Sequence, residues 1–280
     1  MKQESTYFSK RQLDELTKTE MNLIEFASLY PDEFYKSSIK QLSNKTDISI
    51  SVISKLAKKL NFDSLKDMQF FVYHNYLNTD LNSNEKQDYP KFILKQLFLF
   101  YKESIFRTSH LINLNDVNNC VHNIIQSDKV YLYGAGSSFL SASELGINLQ
   151  KIGVNAIAFR DFHSLLLISS QKDIENKFVV LFSKSCDTKE IKFAVDLFMQ
   201  NNIKFALISA NKQAKEKYDN VILYSTLEQN KRFISISSKI NQQFIADLIF
   251  LLISHLKVKN YDSKYAENIK ILNAWNKNNF

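Results

Sequence analysis

The first 80 residues carry a helical pattern. Leu16, Glu20, Leu23, Ile24, Ala27 and Tyr30 recur at spacings of three and four around a polar face, which predicts a helix ending before Pro31. Residues 37–46 predict a short helix with Ile39 and Leu42 turned inward, and Asp47-Ile48 a tight turn. Ser49 is then placed to cap a helix from Ile50 to Leu60. Ile53, Leu56, Ala57 and Leu60 fall on one side of it, and Ser51, Ser54, Lys55, Lys58 and Lys59 on the other. A further helix is expected from Leu65 to Leu77, capped by Asp63 or Ser64.

Residues 78–88 (NTDLNSNEKQD) are almost free of apolar positions and read as a linker. The expected division is a helical domain over 1–79, a linker over 80–90 and a second domain over 91–280. That second domain opens with helices at 90–114 and 116–126. Phe92, Ile93, Leu97, Phe100 and Phe106 are the apolar contacts expected of the first, and Val117, Val121, Ile124 and Ile125 those of the second. The period then changes. Short, nearly continuous apolar runs at 130–133, 154–159, 178–182, 204–208 and 221–224 alternate with helical stretches at 139–152, 162–170, 188–201 and 238–256. Strands of this kind lie in a parallel sheet covered on both faces. The expected fold is an all-α helix-turn-helix domain followed by a doubly wound α/β domain with a five-stranded parallel sheet.

Charge changes this picture less than expected. The chain of 280 residues has a formal net charge of +7. Residues 1–80 nevertheless hold 11 Lys/Arg and 11 Asp/Glu, so bulk charge does not locate a nucleic-acid surface. Local placement does: from Lys45 to Lys59 there are four lysines against one aspartate. The longest apolar stretch, Phe244 to Leu256, is broken by Asp247 and falls short of the ~20 residues a membrane span needs. The polar opening lacks the apolar core of a signal peptide. A soluble, cytoplasmic protein with no membrane association is expected. Cys120 and Cys186 have no metal-ligand spacing and are expected to be free thiols.

Candidate chemistry lies in three segments. Two short helices joined by a tight turn fit a helix-turn-helix, whose second helix enters the major groove of double-stranded DNA, and fit equally a small helical bundle with a solvated lysine face. Small hydroxyls at its start suit phosphates or base edges, and lysines further along suit phosphates. The only four glycines, Gly134, Gly136, Gly146 and Gly153, fall within 20 residues of one another. The first two form Gly134-Ala-Gly-Ser-Ser138 after the first strand, and Ser183-Lys-Ser-Cys-Asp-Thr188 follows the third. Ligands of doubly wound sheets sit beyond the carboxyl ends of strands, where helix N-termini favour phosphate. A dinucleotide fingerprint fails, because Phe139 stands where its third glycine belongs. General acid–base chemistry would have to come from Glu144, His163, Glu190 or Glu228, which form no paired constellation in the sequence. The residues alone therefore point to no catalytic residue, metal or cofactor.

The segment Ile48-Ser-Ile-Ser-Val-Ile-Ser-Lys-Leu-Ala-Lys-Lys-Leu-Asn-Phe62 resembles the recognition helix of RpiR-type transcriptional regulators, and Leu16-Thr-Lys-Thr-Glu20 their opening helix. Val52, Lys55 and Asn61 stand where that family usually has Thr, Arg and Gly. The resemblance implies DNA contacts from Ser49, Ser51, Val52, Ser54, Lys55, Lys58 and Lys59. Residues 128–255 are similar to the sugar isomerase (SIS) domain that follows this helix-turn-helix. The family's Gly-x-Gly-x-Ser matches Gly134 to Ser138, and its Ser-x-Ser-Gly-x-Thr-x-Glu matches Ser183 to Glu190. Ser237-Ser-Lys-Ile240, with Asp247-Leu248, resembles its final helix. The resemblance implies a regulator with a phosphorylated-sugar effector, with an isomerase or etherase carrying an added helical domain and a regulator with a degenerate ligand site as alternatives. Ser183, Ser185 and Thr188 would bond the phosphate, Lys184 would add a backbone contact, and Gly134, Gly136, Ser137 and Ser138 would face the sugar. It also implies a homodimer or homotetramer. Cys186 replaces the glycine of the phosphate loop, where only a left-handed backbone or a close approach makes glycine necessary.

Overall fold

Hydroxyl and amide side chains start most of the helices. In the computed structural model, which describes residues 7–79, 89–171, 176–227, 235–257 and 261–277, the helical unit begins with α1 (Lys10–Asp14) and α2 (Lys18–Leu29). Ser9 and Thr17 close reciprocal capping boxes with Gln12 and Glu20. α3 (Pro31–Lys36) follows at once. Its Pro31 occupies the first helical turn and Phe34 is fully buried, so the proline expected to end one helix also begins another. Next come α4 (Ile39–Thr46), α5 (Ile50–Lys59) and α6 (Leu65–Thr79). Ser38 caps α4, Ser49 caps α5, and the Ser64 hydroxyl accepts from the Asp67 amide at the start of α6. The unit's core joins Leu23, Ile24, Phe34, Leu42, Ile53, Leu56 and Met68.

The chain forms two compact units, Met1–Phe98 and Leu99–Phe280. α7 (Tyr89–Leu111) runs across that division, and α8 (Leu114–Gln126) follows, capped by Asn113. The expected apolar stripe of α7 is not what it buries. Phe100 is buried, but Ile93, Leu97 and Phe106 are 43%, 37% and 52% exposed. The side chain of Phe92 lies outside the described residues. α7 instead buries Glu103, Ser104 and Thr108, which the hydrophobic pattern passes over. It also ends three residues early, since Asn113 gives its side chain to the next helix.

The α/β unit then runs β1 (Lys129–Gly134), α9 (Ser138–Lys151), β2 (Ala156–Phe159), α10 (Phe162–Leu166) with a 3-10 turn (Leu167–Ser170), and β3 (Lys177–Phe182). It continues with α11 (Lys189–Gln200), β4 (Lys204–Ser209), α12 (Lys212–Lys217), β5 (Val221–Leu223), α13 (Ser237–Lys257) and α14 (Tyr261–Lys277). The five strands are parallel, in the order β2-β1-β3-β4-β5. Strand residues alternate between two cores. Val130 and Leu132 join α8, α9 and α13 on one face, whereas Tyr131 and Tyr133 join α11 residues on the other. The doubly wound architecture is as expected. α12 and α14 are additions, the first only six residues long.

Candidate functional site

α4 and α5 are joined by Asp47, Ile48 and Ser49. Asp47 takes a left-handed conformation (φ 52°), Ile48 is buried, and the Ser49 hydroxyl accepts from the Val52 amide at 3.3 Å. Buried Ile53, Leu56 and Ala57 fix the rotation of α5. That rotation leaves Ser49, Ser51, Ser54, Lys55 and Lys58 exposed together, while Val52 is half-buried against the core. Asn61 ends the helix with φ 66°, and the Phe62 amide donates back to the Ala57 carbonyl at 2.9 Å. Asparagine thus fills the glycine-type terminus.

Lys59 is set apart from the other lysines. Its ammonium lies 2.8 Å from Glu20 Oε2, the carboxylate that also accepts from the Thr17 amide at 2.8 Å. Burial pushes the Glu20 carboxyl up, but the hydrogen bonds from Lys59 and Thr17 outweigh it and hold the group below its ordinary value. The sequence pattern placed Lys59 on the outer face without showing this partner, which lies 39 residues away.

In the α/β unit the two loops named from sequence leave adjacent strands. Gly134 ends β1 directly opposite Phe182, which ends β3. α9, which follows β1, packs on one face of the sheet, and α11, which follows β3, packs on the other. This is the switch point at which doubly wound sheets open a crevice. Gly134 admits no side chain: a Cβ there would lie 2.6 Å from the Ser138 carbonyl group. Gly136 has φ 58°. Ser137 sits at the cap position of α9 and makes no capping bond, so its exposed hydroxyl is not committed to the helix start.

The second loop is ordered by its own hydroxyls. Ser183 is buried, and its Oγ accepts from the Cys186 amide at 3.1 Å. Ser185 Oγ accepts from the Asp187 amide at 3.3 Å, and Thr188 Oγ1 accepts from the Ile191 amide at 3.4 Å to cap α11. Each hydroxyl retains a proton to donate. Ser185 and Thr188 are exposed and Lys184 is half-buried. Cys186 has φ 52°, the left-handed conformation its glycine counterpart would favour. Its side chain is buried, and burial pushes the thiol up. Asp187 is exposed and lies 2.5 Å from Lys192, which keeps its carboxyl low.

The acid–base candidates among the described residues are exposed, and Glu190 and Asp161, the partner of His163, both act on Tyr133. Glu144 is exposed on α9 and accepts from Asn148 at 3.1 Å, and Glu190 is exposed in the first turn of α11. The side chain of His163 is 89% exposed, 3.5 Å from Asp161. Glu228 lies outside the described residues. Sequence reasoning missed the groups behind the second loop. Ser209 Oγ donates to the Lys184 carbonyl at 3.0 Å, and Asn211 Nδ2 donates to the Ser185 carbonyl at 2.7 Å. Their only signal was a polar pair at the end of an apolar strand. Among the described residues no group of three or more His, Cys, Asp or Glu could hold a metal, and no helix is long and apolar enough to cross a membrane.

The helix-turn-helix domain of the rpiR family matches residues 8–79, and the SIS domain matches residues 123–252. The chain belongs to the RpiR family. An HTH-type transcriptional regulator of Clostridium perfringens is 26% identical over 243 residues, covering 84% of this chain and 86% of the relative. The RpiR regulator of Escherichia coli K12 is 21% identical over 252 residues, covering 87% and 84%. Among solved structures, the Vibrio vulnificus NanR protein complexed with ManNAc-6P shares the fold, with a TM-score of 0.59 and 15% identity over 94% of this chain and 96% of that one. This RpiR-family chain is a transcriptional regulator with an N-terminal helix-turn-helix and a C-terminal SIS domain.

Proposed function

We infer that α5 reads double-stranded DNA and that a phosphorylated sugar binds between the Gly134–Ser138 and Ser183–Thr188 loops to change that reading. The register of Gly134 against Phe182 carries the ligand half, because it sets two hydroxyl-rich loops side by side at the switch point. The phosphate accepts hydrogen bonds from the hydroxyls of Ser183, Ser185 and Thr188, meets the backbone at Lys184 and lies at the N-terminal dipole of α11. The sugar faces Gly134, Gly136, Ser137 and Ser138. On the DNA side, Ser49, Ser51, Ser54, Lys55 and Lys58 form the contact set around Val52, with Lys59 held back by Glu20. A homodimer or homotetramer presents paired α5 helices to half-sites about 34 Å apart. The division of labour is 1–79 for DNA, 80–90 as linker and 91–280 for the effector, in a cytoplasmic setting. The exposure of Glu144, His163 and Glu190 to solvent supports a sensor without turnover.

A thermal-shift panel of sugar phosphates tests this reading. NanR was solved with ManNAc-6P, so amino-sugar and N-acetylated forms belong in the panel. The expected result is a stabilising ligand whose effect is lost in Ser183→Ala and which the protein leaves chemically unchanged. Conversion of the ligand would favour the isomerase reading. No response from any member would favour a regulator whose loop lost its ligand when cysteine replaced glycine.

A further inference from the structure

Behind the second loop, hydrogen bonds joined through the backbone of Ser209 and of Tyr224–Ser225 lead to α7. The Lys184 carbonyl accepts from Ser209 Oγ and from the Ala210 amide, both at 3.0 Å. The carbonyl of Ser209 accepts from the Tyr224 amide at 2.9 Å. The next residue, Ser225, is bound on both sides by side chains. Its amide donates to Thr108 Oγ1 at 3.1 Å, and its carbonyl accepts from Thr108 at 3.3 Å and from Asn241 at 2.5 Å. Asn241 also donates to Ser104 Oγ at 2.8 Å, and Ser104 pairs with Ser237 at 2.5 Å.

Ser104, Thr108, Ser209 and Asn241 are fully buried. A buried polar group costs free energy wherever it loses its partner. Ser104 and Thr108 are four apart and lie on one side of α7. A slide or rotation of α7 along α13 would therefore strand several groups at once. The arrangement favours discrete positions over continuous drift, as a two-state element requires. Asn241 Oδ1 is buried and has no hydrogen-bond partner among the described residues, so this position is not fully satisfied. An unsatisfied acceptor lowers the cost of moving to a second arrangement.

We propose that the series Ser209–Ser225–Thr108, with Ser104 and Asn241, is a relay that couples the Ser183–Thr188 loop to α7, the helix that leads into the DNA-binding unit. The inference rests on the phosphate-loop reading for its ligand but makes one demand without it. Ser209 and Thr108 share no hydrogen-bond partner, so their substitutions act independently unless the relay joins them.

The test has two arms. In the first, Ser209→Ala, Thr108→Val and the double variant of the full chain are unfolded in urea without ligand. The relay predicts that the double variant's unfolding constant departs from the product of the single effects by about threefold or more. Simple multiplication overturns the relay. Ser104→Ala replaces Thr108→Val if the latter does not fold. In the second arm, hydrogen exchange is followed with inorganic phosphate and with ManNAc-6P as probes. Protection of residues 183–191 should be accompanied by a change in 99–111, and Thr108→Val should keep the first and lose the second. Loop protection with no response in 99–111, or an equal response in the variant, overturns the coupling. If neither probe protects the wild-type loop, the first arm alone decides the relay.

Discussion

At the scale of single residues, Cys186 sets two costs against each other. A left-handed backbone costs a side-chain-bearing residue about 1–2 kcal/mol relative to glycine. Burying the small side chain returns a contribution of about the same size. Cys186→Gly is therefore expected to leave stability within about 1 kcal/mol of the parent and to retain ligand binding. Cys186→Val keeps the bulk but adds β-branching at positive φ, and is expected to destabilise the α/β unit by about 2 kcal/mol or more. Urea unfolding of both variants checks the pair, and equal stability would show that the loop relaxes around either residue. Glu20 poses the corresponding question in the helical unit. Its folded carboxyl is held below the ordinary value of 4.5, so it contributes stability above that pH and loses it as pH falls through the lower, folded value. Lys59→Ala should remove about 1 kcal/mol at neutral pH and flatten this acid dependence. An unchanged pH profile would mean that the capping bonds from Thr17 suffice.

At the scale of elements, α5 was legible because its two faces differ sharply and because its caps are local. Ser49, Asn61 and the buried set Ile53, Leu56 and Ala57 all sit where a 3.6-residue period puts them. The helix of α7 was legible too, but its buried face was not, because its burial is decided by partners more than 100 residues away. Ser104 and Thr108 face Ser237 and Ser225, and no local pattern marks a polar pair as interior. The two candidate ligand loops were legible in type but not in position, since their adjacency comes from the pairing of β1 with β3. Among the lysines of α5 the structure makes a distinction that the sequence did not. If Lys55 and Lys58 each meet one phosphate, alanine at either should lower the slope of log affinity against log salt by about 0.9. Lys59→Ala should leave that slope nearly unchanged, because its ammonium is already paired with Glu20. A duplex selected by the wild-type protein from a randomised pool is the substrate for all three titrations. Equal slopes for the Lys58 and Lys59 variants would show that the Glu20 pair opens on DNA.

At the scale of the whole molecule, a chain of two compact units with separate cores need not melt as one. Calorimetry is expected to resolve one transition for the helical unit and another for the α/β unit. A ligand that binds only a folded unit stabilises it by about 2.7 kcal/mol at 100 times its dissociation constant. A sugar phosphate should then raise the α/β transition by that amount, and the selected duplex should raise the helical one. Each should move the other's transition only by the coupling between sites, typically about 1–3 kcal/mol in regulated proteins. Linkage makes that coupling reciprocal for binding, so the effect of the sugar on DNA affinity must equal the effect of DNA on sugar affinity. Two transitions that each answer one ligand alone would describe a protein that holds both and regulates nothing. A reciprocal shift that disappears in Thr108→Val would instead place the regulation in the buried hydroxyls of α7.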